Sequence, residues 1–159
     1  NYQNLLDGPS KSFAFPGQIH HEYALGRASP NALIPKPTSC VEATCKVLPD
    51  LEGRISSHSF RVPTSIVSSA VPSLKLIKKT SKKELLDLFS KAEKEQKFRI
   101  FKNNLKALVS TDFVQTDSSV IIDNRWTDLN DDNYLKLVLW YDNEWGYSNR
   151  VVDLVKLVS

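Results

Sequence analysis

A dense group of polar and aromatic side chains lies between Trp140 and Arg150, in the order WYDNEWGYSNR. An apolar run, residues 135–140, leads into this group, and an amphipathic tail follows it. Where a hydrophobic strand ends in such a cluster and turns directly into a helix, the junction commonly carries a ligand. The pattern therefore predicts a strand, a functional turn and a helix, without identifying the ligand.

A second chemical candidate is the start of residues 38–48 (TSCVEATCKVL), a predicted short helix capped by Thr38 or Ser39. Hydroxyl side chains and free backbone N–H groups at a helix start can bind an anion. An ordinary helix cap uses the same residue types. By themselves these residues favour the ordinary cap and leave the anion site as the alternative.

Cysteines and histidines offer weaker candidates. Cys40 and Cys45 lack a C-x-x-C spacing, which suits a reducing compartment, and a free cysteine is usually a small buried hydrophobe. The sequence His20-His21-Glu22 invites a metal interpretation. Adjacent histidines point apart in most backbones, and no second ligand pair lies at helical spacing, so we expect a solvated loop tip and no metal site.

Several strands must position these groups. We predict them at residues 56–63, 66–77, 106–111, 119–123 and 134–141. Alternation within residues 56–63 places Arg61 on the face opposite Phe60 and Val62. In residues 66–77, Pro72 implies a bulge or an edge strand. Only a few residues separate these two strands, so we expect them to pair antiparallel. The last is apolar on both faces and should lie at the centre of the sheet, after a hairpin-like connection at 123–132.

The clearest predicted helix covers residues 80–97, where Ser81 and Glu84 fit a capping box and Leu85, Leu88, Phe89 and Ala92 form an apolar stripe. With helices and strands in this order and G-x-G-x-x-G absent, the fold class is α+β: one largely antiparallel mixed sheet with helices packed on one face, and no Rossmann domain. Residues 1–37 are predicted as a long loop, and residues 38–159 as the sheet and helices of a single domain.

Composition narrows the possible partners. The chain has 159 residues, of which 41% are hydrophobic, and its formal charge is +3. No apolar run approaches the roughly 20 residues of a membrane span, so no membrane partner is expected. The chain contains no methionine and begins with Asn1, so we expect a part of something longer.

Lysines near the predicted helix at residues 80–97 allow another interpretation. Lys78, Lys79, Lys82 and Lys83 could bind nucleic acid or another surface. Interleaved glutamates and aspartates favour a solvated helix face instead, and the small net charge does not demand a nucleic acid.

Residues 140–153 (WYDNEWGYSNRVVD) closely resemble glyceraldehyde-3-phosphate dehydrogenase. Four further motifs follow the order of that family: LLDGP at residues 5–9, VLPDLEG at 47–53, FRVPT at 60–64 and DSSV at 117–120. The resemblance covers nearly the whole chain and is to the catalytic, C-terminal domain of the enzyme.

The resemblance implies NAD-dependent, phosphorylating oxidation of an aldehyde phosphate in glycolysis, with a cysteine nucleophile and a histidine base. Arg61 matches the arginine that holds substrate phosphate, and Thr38 and Ser39 fall on the phosphate-binding loop, which raises the anion interpretation above the plain cap. Asn143 matches the residue that hydrogen-bonds the nicotinamide carboxamide, and Tyr147 the aromatic beside that ring. Residues 1 to about 34 match the loop that reaches a neighbouring subunit's cofactor cleft.

The family's nucleophile and base motifs do not occur in this chain, and we expect both residues upstream of Asn1 together with the NAD-binding domain. Cys40 falls on phosphate-loop positions and is rejected as the nucleophile. Ser39 replaces a glycine of the family, and Leu25 replaces an arginine of bacterial members. The expected assembly is a cytoplasmic homotetramer, inactive as this chain alone. The alternative is a divergent, non-catalytic relative that acts as a structural or interaction subunit.

Overall fold

The computed structural model describes residues 11–12, 15–19, 32–64, 66–131 and 133–159. The chain divides into two compact units, Asn1–Ser65 and Ile66–Ser159. The predictions for Leu25 and for the sequence His20-His21-Glu22 lie outside the described residues.

The first unit contains short antiparallel strand pairs and one helix. Strand β1 (Lys11–Ser12) pairs with β2 (Phe15–Ile19), β3 (Ile34–Lys36) pairs with β4 (Ser59–Arg61), and helix α1 (Cys40–Val47) leads into a 3₁₀ turn at Pro49–Leu51. The segment predicted as a long loop, residues 1–37, therefore contains strands among its described residues.

Strand β4 confirms the predicted alternation but not the predicted partner. Ser59 and Arg61 are half-buried, and Phe60 between them is exposed, so the apolar side chain lies on the open side. The expected pairing of residues 56–63 with residues 66–77 is wrong. β4 pairs with β3, which places Arg61 opposite Ile34, a buried side chain that anchors the pair.

The second unit contains seven strands and two helices among its described residues. The strands are β5 (Ser68–Ala70), β6 (Ser73–Lys75), β7 (Phe101–Asn104), β8 (Val120–Asp123), β9 (Asp128–Leu129), β10 (Tyr134–Lys136) and β11 (Leu139–Tyr141); the helices are α2 (Lys82–Glu95) and α3 (Asn143–Val158). They form sheets of order β5-β11-β8-β7 and β6-β10-β9, with only β7 and β8 parallel among the described pairs.

Two predicted strands are each divided in two. Residues 66–77 break at Pro72 into β5 and β6, and residues 134–141 break at Leu137 into β10 and β11. At the breaks Leu137 N donates to Pro72 O at 3.2 Å, and Asp123 N donates to Val138 O at 2.9 Å. The predicted central position is confirmed for both halves, because β10 lies between β6 and β9 and β11 lies between β5 and β8.

The predicted strand at residues 106–111 is wrong. The strand of this region is β7, which ends at Asn104. The Asn104 side chain accepts from Lys106 N at 3.1 Å and donates to Lys106 O at 2.8 Å, so it turns the chain out of the sheet. A 3₁₀ helix at Ser110–Phe113 follows, and the predicted strand at 119–123 is confirmed as β8.

Two hydrophobic clusters hold the second unit together. One is formed by Leu85, Ile122, Leu135 and Leu137, and the other by Val67, Phe113 and Ile121, with Trp140 stacked on Phe113 at 5.9 Å between ring centroids. Helix α2 contributes Leu85 to the first cluster, as its apolar stripe predicted, although Leu88 of that stripe is exposed.

The α+β class and the predominance of antiparallel pairing are confirmed. Among the described residues the pairing is distributed over four small sheets instead of one. Over the same residues, none of the helices has the length and apolar character that crossing a membrane requires.

Candidate functional site

Asp142 fixes the start of α3, and with it the position of every residue in the first turn. It is 1% exposed; its Oδ1 accepts from Glu144 N at 3.1 Å and from Trp145 N at 3.0 Å, and its Oδ2 accepts from Gln115 N at 2.9 Å. Burial acts to raise the pKa of Asp142, but the three backbone donors outweigh it and lower the pKa. The carboxylate is therefore a charged N-cap that ties the helix to the preceding loop.

Asn143 and Tyr147 project from this fixed turn. Asn143 is the first residue of α3, and its Nδ2 donates to Ser68 Oγ on β5 at 3.2 Å. Tyr147 follows four residues later, hence on the same face of the helix, and it is 71% exposed. The structure thus brings an oriented amide and an open phenol ring side by side.

Ser68 follows a strained residue. Val67 has φ +66°, a left-handed conformation that a β-branched residue rarely adopts. Its side chain is buried with Phe113 and Ile121, which holds it there. Ser68 carries no sequence signal of its own, because only the pairing of β5 with β11 brings it to α3.

The DSSV motif packs against the same helix. A Cβ added to Gly146 would lie 3.0 Å from the backbone oxygen of Ser118, so any larger residue would require this contact to open by a few tenths of an ångström. Arg150 donates from Nη1 to Arg99 O at 2.7 Å and from Nη2 to Asp117 O at 3.2 Å. Two motifs that are distant in sequence therefore form one contact.

Asp117, the first residue of the DSSV motif, forms two ion pairs beside its contact with α3. Its carboxylate accepts from Lys102 Nζ at 2.9 Å and from Arg99 Nη1 at 2.7 Å. These hydrogen bonds, first Lys102 and then Arg99, lower the pKa of Asp117 to about 2.

Asp123 is a second buried carboxylate, after Asp142, and the sequence analysis did not identify it as a polar site. It is fully buried and accepts from Arg125 Nε at 2.8 Å and Nη2 at 2.6 Å, with Trp140 Nε1 at 3.2 Å and Asn104 Nδ2 at 3.3 Å. Burial acts to raise its pKa, but the Arg125 and Trp140 hydrogen bonds prevail and lower it. The complete pairing gives Asp123 a structural role at the end of β8.

In the first unit, Thr38 and Ser39 lie at the start of α1. Ser39 is the N-cap, with φ −86° and ψ 5°, and its hydroxyl caps no backbone N–H of the described residues. Thr38 Oγ1 instead accepts from Cys40 N at 3.3 Å. Of the two predicted caps, Thr38 is the one whose hydroxyl hydrogen-bonds to the helix, whereas Ser39 contacts it through its backbone oxygen, which accepts from Ala43 N at 2.9 Å.

Cys40 is exposed, and so differs from the buried thiol expected of a free cysteine. Hydrogen bonds with Ser57 and then with Thr38 lower its pKa, against a smaller opposing effect of burial. Cys45 on the same helix is half-buried.

Arg61 ends β4 opposite Ile34, whereas Thr38 follows the other end of the ladder, where Lys36 faces Ser59. At about 3.3 Å per residue, Ile34 and Thr38 are separated by roughly 13 Å of chain. In the first unit Arg61 therefore ends β4, and Thr38 and Ser39 lie between the end of β3 and the start of α1. In the second unit α3 carries Asn143 and Tyr147. Across the described residues, His, Cys, Asp and Glu form no group of three that could hold a metal ion.

Comparison of the sequence with known proteins identifies the family of this chain. The sequence model described as "Glyceraldehyde 3-phosphate dehydrogenase, C-terminal domain" matches residues 14–143. The cytosolic glyceraldehyde-3-phosphate dehydrogenase of Gracilaria gracilis is 37% identical over 157 residues, which are 99% of this chain and 44% of that protein. The enzyme of Pleurotus sajor-caju is 39% identical over 158 residues, which are 99% of this chain and 44% of that protein.

The testis-specific enzyme of Bos taurus is 38% identical over 154 residues, which are 97% of this chain and 37% of that protein. This chain therefore spans less than half the length of the relatives it matches. The family match covers most of the chain. The chain belongs to the glyceraldehyde-3-phosphate dehydrogenase family and carries its C-terminal domain.

Proposed function

We propose that this chain is the catalytic-domain portion of an NAD-dependent glyceraldehyde-3-phosphate dehydrogenase. The observation that carries the proposal is the first turn of α3, where Asn143 is oriented by Ser68 and Tyr147 lies one turn further on. Both side chains are exposed, which a binding surface requires. NAD supplies the hydride acceptor of the family's reaction.

The two side chains fit the nicotinamide end of NAD. The Asn143 amide can both donate to and accept from a carboxamide, and its contact with Ser68 limits its rotation. The Tyr147 ring offers a flat apolar face with a polar tip. The buried charge of Asp142 keeps the backbone of both residues in place.

The first unit supplies phosphate recognition in this proposal. Arg61 presents a guanidinium group, which can bind a phosphate through two hydrogen bonds. Thr38 and Ser39 offer hydroxyls at the start of α1, where the helix dipole favours an anion. Ser39 has an ordinary negative φ, so serine in place of the family's glycine does not strain the backbone.

The substrates of the proposed reaction are an aldehyde phosphate, inorganic phosphate and NAD. The nucleophilic cysteine, the histidine base and the NAD-binding domain would all come from the part of the relatives that this chain does not match. Glycolysis, a cytoplasmic location and a homotetramer are parts of the same proposal.

A chimaera tests the proposal. The unmatched N-terminal part of the Gracilaria gracilis enzyme is joined to residues 1–159, and phosphate-dependent reduction of NAD is measured by absorbance. We expect activity from the chimaera and none from residues 1–159 alone. Activity of the isolated chain, or a folded chimaera that binds NAD and remains inactive, contradicts the proposal.

Arg61→Ala in the active chimaera tests the phosphate contact. Loss of a charged hydrogen-bonding partner costs about 2–4 kcal/mol, so kcat/KM for the aldehyde phosphate should fall about 30- to 700-fold. Arg54→Ala, an exposed arginine of the same unit, is the control and should change kcat/KM less than about twofold. Equal effects of the two substitutions would exclude a specific role for Arg61.

The second candidate is a non-catalytic relative that acts as a structural or interaction subunit. It is favoured by the start of α1, where Thr38 already occupies the backbone N–H of Cys40 and Ser39 adds a side chain. Binding of inorganic phosphate distinguishes the enzyme from the non-catalytic subunit. It is measured by calorimetry for residues 1–159 in the unmodified form and as the variants Thr38→Ala and Ser39→Gly. Binding that Thr38→Ala removes supports the enzyme, and its absence in the unmodified chain favours the subunit.

A further inference from the structure

Five lysines surround the connection between β6 and α2, which we call the basic loop (residues 75–83, KLIKKTSKK). The lysines are Lys75, Lys78, Lys79, Lys82 and Lys83, and this stretch contains no acidic residue. All five are exposed. Ile77 lies among them and is 99% exposed. A fully exposed isoleucine inside a run of lysines is not explained by packing or by the proposed enzyme activity.

The fold holds Ile77 outward. Asn133 Nδ2 donates to Leu76 O at 2.9 Å and to Lys78 O at 2.6 Å, the carbonyls on either side of Ile77. Leu76 N in turn donates to Asn133 O at 2.9 Å. Asn133 has φ +68°, a left-handed conformation that asparagine tolerates better than most residues. One side chain thus fixes the bend at whose tip Ile77 lies.

The far end of the basic loop is fixed as well. Ser81 Oγ accepts from Glu84 N at 3.2 Å, and Glu84 Oε2 accepts from Ser81 N at 2.8 Å and from Thr80 Oγ1 at 2.9 Å. A loop that is already ordered loses less conformational entropy when it binds a surface.

The lysines of the basic loop are available to an external anion. Among the described residues, none of the five forms an ion pair, although Lys75 lies over the Tyr134 ring at 4.8 Å. The carboxylates closest in sequence to these lysines and to Asn133 are Glu84, whose Oε2 the cap engages, Asp87 one turn further along α2, and Asp131 and Asp132 directly before Asn133. The five lysines outnumber these four acids, and the local charge is positive.

We propose that the basic loop docks on an anionic lipid surface, with the lysines at the headgroups and Ile77 in the boundary between headgroups and acyl chains. An apolar side chain flanked by lysines matches that boundary, where anionic lipids attract each nearby cation. A nucleic acid fits less well, because residues 75–83 contain no arginine or aromatic residue. A phosphate backbone also offers no apolar surface that Ile77 could contact. This inference does not depend on the proposed enzyme activity.

Co-sedimentation of residues 1–159 with lipid vesicles tests the proposal. We expect binding to vesicles that contain about 30% phosphatidylserine, little binding to pure phosphatidylcholine, and weakening as salt rises. Ile77→Ser should lower the partition constant about tenfold by removing the apolar contact. Lys78→Glu combined with Lys79→Glu should lower it at least tenfold.

Matched controls come from the same chain. Val47→Ser removes an exposed apolar side chain next to Lys46, which pairs with Glu42, and Lys91→Glu with Lys94→Glu removes two lysines from the other half of α2. Both controls should keep wild-type partition, and circular dichroism verifies the fold of each variant. Wild-type partition of Ile77→Ser, equal binding to neutral vesicles, or binding to a random DNA duplex but not to vesicles overturns the proposal.

Discussion

Gly146 shows how one residue decides whether two motifs can meet. It lies in the first turn of α3, its N–H donates to Asp142 O at 3.0 Å, and it faces the backbone of Ser118, which is fully buried. The absence of a side chain permits that approach. A glycine inside a helix ordinarily weakens it, and here the close packing offsets the cost.

Gly146→Ala should therefore destabilise the chain although alanine is the better helix former. The new Cβ would lie 3.0 Å from a backbone oxygen, and we expect a loss of about 1–3 kcal/mol in the free energy of unfolding. Urea denaturation monitored by tryptophan fluorescence measures it. Ser148→Ala on the exposed side of α3 is the control and should change stability by less than about 0.5 kcal/mol. Unchanged or increased stability of Gly146→Ala would show that α3 and Ser118 can separate freely.

At the scale of elements, α1 and α2 begin with the same residue type and use it differently. Ser81 forms a complete capping box with Glu84 at the start of α2. Ser39 is the N-cap of α1, yet its side chain caps none of the described backbone N–H groups, and its ψ of 5° differs from the extended 157° of Ser81. The capping geometry requires an extended N-cap, so the difference follows from the backbone.

The two serines provide a matched pair of substitutions. Ser81→Ala should lower the free energy of unfolding by about 1 kcal/mol, whereas Ser39→Ala should leave it within about 0.3 kcal/mol of the unmodified chain. Thermal unfolding followed by circular dichroism compares them under one set of conditions. If Ser39→Ala costs as much as Ser81→Ala, the hydroxyl of Ser39 does cap α1 in solution.

At the scale of the whole molecule, three aspartates with lowered pKa tie the second unit together. Asp117 joins the contacts of α3 with residues 99–120, Asp123 ends β8, and Asp142 caps α3. A carboxylate whose pKa is lower in the folded state than in the unfolded chain stabilises the fold above its unfolded pKa, near 3.9. That stability is lost as pH falls through the folded pKa.

The second unit should therefore lose stability from about pH 5 downward, and Asp117 contributes to the loss until about pH 2. Asp117→Asn should lower the free energy of unfolding near pH 7 by about 1 kcal/mol, because partial exposure screens its ion pairs, and should reduce the slope of stability between pH 5 and about 2. Urea denaturation at a series of pH values measures both. A slope identical to that of the unmodified chain would show that Lys102 and Arg99 do not hold the pKa of Asp117 down.

The sequence by itself determined the features that depend on neighbours along the chain. The capping box of α2 follows from Ser81 and Glu84, and the order of strand and then helix around Trp140 follows from the apolar run and the amphipathic tail. Local patterns of this kind predict the structure because the hydrogen bonds of a helix start join residues only three or four positions apart. The family was also readable from the motifs, and the match over residues 14–143 confirms it.

Only the tertiary structure decided which strands pair and where they break. Residues 134–141 are apolar apart from Lys136, so no local signal marks Leu137 as the break. At the break Leu137 N donates to Pro72 O and Val138 O accepts from Asp123 N, and both partners are far away in sequence. The contact of Ser68 with Asn143 likewise joins residues 75 positions apart. Pairing energy comes from the partner strand and not from the residue's own neighbours, and a sequence pattern cannot name that partner.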